Sequence, residues 1–158
     1  MVNELCLNEA LIEAVKEVFE TMAFMSVEKA DDSQEIEGNA IMGIITFQNG
    51  LKGCLTIYCN QLCAGAIARN MLGMDPEEDI EDNEVKDAIG EVTNMVMGSV
   101  KARIQDSGNN LQVSIPTIVR GHEIEHHLAE RENSVQTKIC IEDQYVAKIS
   151  FLYTESDN

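Results

Sequence analysis

Two apolar runs separated by an Asn-Gly pair constrain this chain more than any other stretch. They are Ala40-Ile41-Met42-Gly43-Ile44-Ile45-Thr46-Phe47 and Leu51-Lys52-Gly53-Cys54-Leu55-Thr56-Ile57-Tyr58, joined at Gln48-Asn49-Gly50. Asn and Gly both tolerate positive φ, so the pair suits a tight turn whose twist matches that of its flanking strands. An antiparallel hairpin is the expected outcome. Residues 135–141 and 146–153 predict a second hairpin across Glu142-Asp143-Gln144. Between the two, residues 111–119 read as a strand interrupted by Pro116. Proline cannot donate to a ladder, so this strand is kinked there or lies at an edge.

Helical spacing fills the remaining chain. Residues 8–27 repeat Leu11, Val15, Val18, Phe19 and Met22 on one face. Asn60 can cap a helix over 61–72, in which Leu62, Ala66, Ile67 and Met71 form the expected buried stripe and Gly73 supplies the stop. A third helix is predicted over 83–104, with Asp82 or Asn83 as its cap and Glu84 suited to its dipole. The sum is an α+β chain, a mainly antiparallel sheet with helices packed on one face, expected to form one domain over residues 1–158.

The third helix carries the most chemistry. At roughly 100° per residue, Asp87, Glu91, Asn94 and Gly98 fall in one stripe, while Ala88, Ile89, Val92, Met95, Val96 and Val100 gather opposite. By pattern alone the stripe reads first as the solvated side of an amphipathic helix. Gly90 and Gly98, on or beside it, each cost about 1 kcal/mol relative to Ala in a helix interior. They suggest that something comes close to this backbone.

Charge narrows the partners. With 28 Asp and Glu against 11 Lys and Arg, the formal charge is −17. Nucleic-acid binding relies on basic side chains that release counterions, so that class is excluded. The acidic connector over residues 75–82 reads as a solvated loop or a docking surface for a basic partner. No window approaches the ~18 continuous apolar residues of a membrane span, and Met1-Val2-Asn3-Glu4-Leu5 lacks a basic leader pattern, so a cytoplasmic protein is expected. Cys6, Cys54, Cys59, Cys63 and Cys140 show no Cys-x2-Cys pairing, which favours reduced, mostly buried thiols over a zinc site.

His122-Glu123-Ile124-Glu125-His126 matches the His-Glu-x-x-His pattern, in which two histidines one helical turn apart hold zinc and the glutamate activates water. That pattern needs a helix with a packed apolar face and a third ligand. Residues 121–133 offer only Ile124, Leu128 and Ala129 amid charges, between two strand-like segments, where a loop or short helix is expected. A zinc hydrolase, or metal held by His122, His126 and His127, stands as an alternative reading.

Asp87-x3-Glu91-x2-Asn94, followed by Pro116, resembles the signature of the CheC/CheX/FliY chemotaxis phosphatases. Val18-Phe19-Glu20-Thr21-Met22 is similar to their opening helix, and a single Glu/Asn helix matches the CheX branch rather than the two-helix CheC type. The resemblance implies a phosphatase acting on a phospho-aspartyl, CheY-like response regulator. The Mg²⁺ would belong to that partner, leaving this chain with no cofactor of its own. It implies that Glu91 meets the partner's active-site lysine. An amide such as Asn94 has no useful proton affinity, yet offers a donor and an acceptor with which to orient water. Asp87, Gly90 and Gly98 would then border the partner, and the resemblance further implies a homodimer. A docking module for a regulator or flagellar component, without turnover, is the alternative from a different class.

Overall fold

The computed structural model describes residues 3–105, 110–122 and 133–155. Its elements run α1 (Glu4–Thr21), β1 (Val27–Lys29), β2 (Asn39–Gln48), β3 (Leu51–Asn60), α2 (Gln61–Met71), α3 (Asp82–Ile104), β4 (Gln112–Val113), β5 (Thr117–His122), β6 (Asn133–Ile141) and β7 (Tyr145–Glu155). Among the described residues the strands form one antiparallel sheet in the order β1-β6-β7-β3-β2-β4, with β5 also paired to β2.

Both expected hairpins form. Asn49 and Gly50 take φ of 81° and 101°, and Ala40 pairs with Asn60 at the far end of the β2–β3 ladder. In the second hairpin Glu142 and Asp143 take positive φ of 54° and 53°, a conformation eased here because the Glu142 carboxylate accepts from the Ser26 backbone N–H at 2.9 Å. The strand expected over 111–119 is split at Ser114, Ile115 and Pro116 into β4 and β5, both on the same edge of β2.

Alternate residues of the strands face the three helices. Ile41 and Ile45 from β2, Leu55 and Ile57 from β3, and Ile149 and Phe151 from β7 are buried on that face with Phe47. Phe47 and Phe151 stack with ring centroids 4.7 Å apart. Against them pack Leu11, Val15 and Phe19 of α1, Ile67 of α2, and Ile89, Val92 and Val96 of α3.

Several boundaries differ from expectation for identifiable reasons. The first helix starts at Glu4 rather than residue 8, because the Asn3 side chain accepts from the Leu5 N–H at 2.9 Å. It ends at Thr21 rather than 27. Phe24 breaks it with φ of 55°, and burial then alternates at Ala23, Met25 and Val27, carrying the chain into β1, which pairs Val27 with Ile141. On α2 the buried stripe is Cys63, Ala64, Ile67 and Ala68, while Leu62 is 75% exposed. Ile67 is buried as expected and Ala66 and Met71 pack partly buried against the core, so Leu62 alone is displaced, its place taken by small residues. The cap of α3 is Glu81, whose N–H donates to the Glu84 carboxylate at 3.3 Å. No disulfide joins the five cysteines, but burial is full only at Cys59 and Cys63, and Cys6 is exposed. A hydrogen bond with Cys63 and burial push the Cys59 thiol well above its ordinary value, so it packs as a small neutral group.

Candidate active site

The site helix α3 is held at its start, middle and end. At its start the Arg120 guanidinium of β5 meets the Asp82 carboxylate at 3.1 Å and donates to the Asp82 carbonyl at 3.1 Å. At its end Arg103 pairs with Glu13 at 3.1 Å and with Glu17, both on α1. Such partly exposed pairs contribute little stability, about 0–1 kcal/mol each, but they fix orientation.

The middle is set by Gly43. A Cβ built there would overlap Thr93 Oγ1 and lie 3.2 Å from Thr93 Cβ and 3.3 Å from Ile89 Cγ2. Thr93 is fully buried, and its hydroxyl donates to the Ile89 carbonyl at 2.7 Å, four residues back. The helix therefore lies directly on the backbone of β2, one residue before Asn94. Sequence reading passed over Gly43, although an isolated glycine within a strand pattern is the usual sign of such a close approach.

Pro116, just before β5, and Ile118 within it back the same helix. Pro116 Cγ lies 3.6 Å, and Ile118 Cδ1 3.8 Å, from where a Gly90 Cβ would sit. Gly90 is thus buried against β5 rather than presented on the outer stripe, and its contacts are within the protein. Gly98 is exposed and has open space around it.

Asp87, Glu91 and Asn94 are all exposed and line one open groove with Gly90, Ile115 and Pro116; Lys86 and Ile118 complete it. The structure therefore brings together four of the five expected site residues, with Gly98 lying farther along the same helix. Among the described residues, neither the Glu91 nor the Asn94 side chain makes a hydrogen bond or ion pair. A carboxylate and an amide one turn apart are thus free to engage atoms from outside, on a helix that cannot easily move.

The histidine motif is placed differently. His122 is the last residue of β5, opposite Asn39 in an extended ladder, and so is itself not helical. Its Glu123, His126 and His127 lie outside the described residues. Among the described residues no group of three or more His, Cys, Asp or Glu is arranged to hold a metal ion. Among them, too, no helix is long and apolar enough to cross a membrane.

Comparison with known proteins bears on the fold and the family. CheX from Vibrio vulnificus superposes with a TM-score of 0.80 at 22% identity, covering 98% of this chain and 100% of that one. CheX from Desulfovibrio desulfuricans gives 0.72 at 21% identity, covering 95% and 99%. CheX from Borrelia burgdorferi, solved as a complex with CheY, BeF3 and Mg²⁺, gives 0.75 at 15% identity, covering 98% and 100%. At these identities the likeness shows a shared fold. A search of curated proteins finds no match. The family model described as chemotaxis phosphatase CheX matches residues 41–140, a span holding the hairpin, the braced helix and the β5 backing. The chain belongs to the CheX family of chemotaxis phosphatases.

Proposed function

We propose that this protein accelerates hydrolysis of the aspartyl phosphate of a CheY-like response regulator, using Glu91 and Asn94 from α3. The observation that carries the reading is the pair of side chains, uncommitted among the described residues, one turn apart on the exposed face of a helix held at both ends. The complex of a Borrelia relative with CheY supports the choice of partner.

In this reading Glu91 pairs with a lysine beside the partner's phosphoryl group, which docks the helix in one register. Asn94 then holds a water in line with phosphorus, its amide oxygen accepting a hydrogen bond from that water. Water oxygen bonds to phosphorus as the bond to the aspartyl oxygen breaks, releasing phosphate and regenerating the carboxylate. The amide takes no proton; it contributes placement, which can remove on the order of 7 kcal/mol of barrier in favourable cases. A Mg²⁺ held by the partner, not by this chain, would neutralise the phosphoryl oxygens. Asp87 and Gly98 border the contact, and the protein would work in the cytoplasm as a homodimer.

Removing the Glu91 carboxylate tests the docking role. Glu91→Ala is expected to weaken binding of the phosphorylated regulator and to lower turnover, by about tenfold or more in kcat/KM. Native kinetics in that variant would remove Glu91 from the mechanism. A complex that forms with the native chain but releases no phosphate would identify a docking module instead.

A further inference from the structure

We propose that Ile115 is an apolar anchor that seats the response regulator against the Glu91–Asn94 face. This rests on the phosphatase reading above and adds the group that supplies affinity rather than chemistry.

Ile115 is 87% exposed, more than any other large hydrophobic residue described, and it lines the same groove as Glu91 and Asn94. Its exposure is not that of a loose loop. The Ser114 N–H donates to the Thr46 carbonyl at 2.9 Å, and the Ser114 hydroxyl accepts from the Thr46 N–H at 3.0 Å. One serine thus occupies both backbone groups of Thr46 on β2, in the gap between β4 and β5. The same hydroxyl lies 3.0 Å from the Ile115 carbonyl, to which it donates. Pro116 fixes the next φ and packs beside Gly90, which docks the segment on α3. Ile115 is therefore held out by a backbone pinned on both sides.

The groove otherwise presents Lys86, Asp87 and Glu91, charges that steer and orient a partner but stay near water. A β-branched side chain with few rotamers gives up little freedom when buried, so it suits a hot spot beside them. The occupant that fits is a receiver domain presenting a lysine to Glu91 and an apolar recess to Ile115. Continuity of Ile115 with the Glu91–Asn94 face favours that occupant over a second copy of this chain.

The test is steady-state dephosphorylation of a phosphorylated CheY-like regulator, with Mg²⁺, by the full chain and by Ile115→Ala, Ile115→Val and Asn94→Ala. Thermal melting confirms folding, and sedimentation reports self-association. Ile115→Ala is expected to raise KM about tenfold with kcat within about twofold of native, Ile115→Val to stay near native, and Asn94→Ala to lose kcat. Native KM in Ile115→Ala, with kcat lost in Asn94→Ala, overturns the anchor and leaves the phosphatase reading standing. A changed oligomeric state with unchanged KM also overturns it, assigning Ile115 to contact between copies. No acceleration by the native chain overturns both.

Discussion

Asn94 and Glu91 owe their availability to what surrounds them, since Val92, Thr93 and Val96 are buried while the two polar side chains stay exposed and, among the described residues, uncommitted. Gly98 lies one turn beyond Asn94 with nothing within 4 Å of an added Cβ. Gly98→Ala should therefore stabilise the free protein by about 1 kcal/mol through helix propensity alone, read as a rise in Tm of about 2–4 °C. An unchanged or lower Tm would mean that this helical glycine serves the fold. Asp87, Glu91 and Asn94 were legible because a 3.6-residue period places them on one exposed stripe. The burial of Gly90 was not, because it depends on Pro116 and Ile118, which arrive from a segment more than twenty residues later.

At the scale of elements, the position of α3 over β2 decides where the site residues point. Gly43→Ala would drive a Cβ into Thr93, and turning the hydroxyl away still leaves Thr93 Cβ at 3.2 Å and Ile89 Cγ2 at 3.3 Å. The variant should lose about 1–3 kcal/mol of stability, seen as a lower urea midpoint. It should also lose turnover, because a shift of about 1 Å in the helix displaces Asn94. Combining it with Thr93→Ala should recover part of the loss; an unchanged midpoint in Gly43→Ala alone would show that the helix does not rest on Gly43. Both hairpins were legible from Asn49-Gly50 and Glu142-Asp143-Gln144, because turn chemistry is local. The strand β1 was missed because three residues carry too little period, and on α2 Ile67 was read correctly while Leu62 was wrongly preferred to the small residues Cys63, Ala64 and Ala68 that pack.

For the whole molecule, a sheet covered on one face by three helices needs no deep pocket of its own to act on a partner. The antiparallel sheet and the helices on one face followed from alternation and helical period, and the family resemblance from Asp87-x3-Glu91-x2-Asn94. What escaped the sequence was the convergence of β5, Pro116 and Gly43 on α3, which depends on strand order rather than on any local pattern. That convergence gives the account its central claim, that a braced helix completes a half-built site on another protein. The most direct measurement is the decay of a phosphorylated CheY-like regulator, with Mg²⁺, in the presence of the native chain or Asn94→Ala. The native chain should shorten the phosphoryl lifetime by about tenfold or more, and Asn94→Ala should bind the regulator yet leave its lifetime nearly unchanged. Equal acceleration by both proteins, or none by the native chain, would contradict the account.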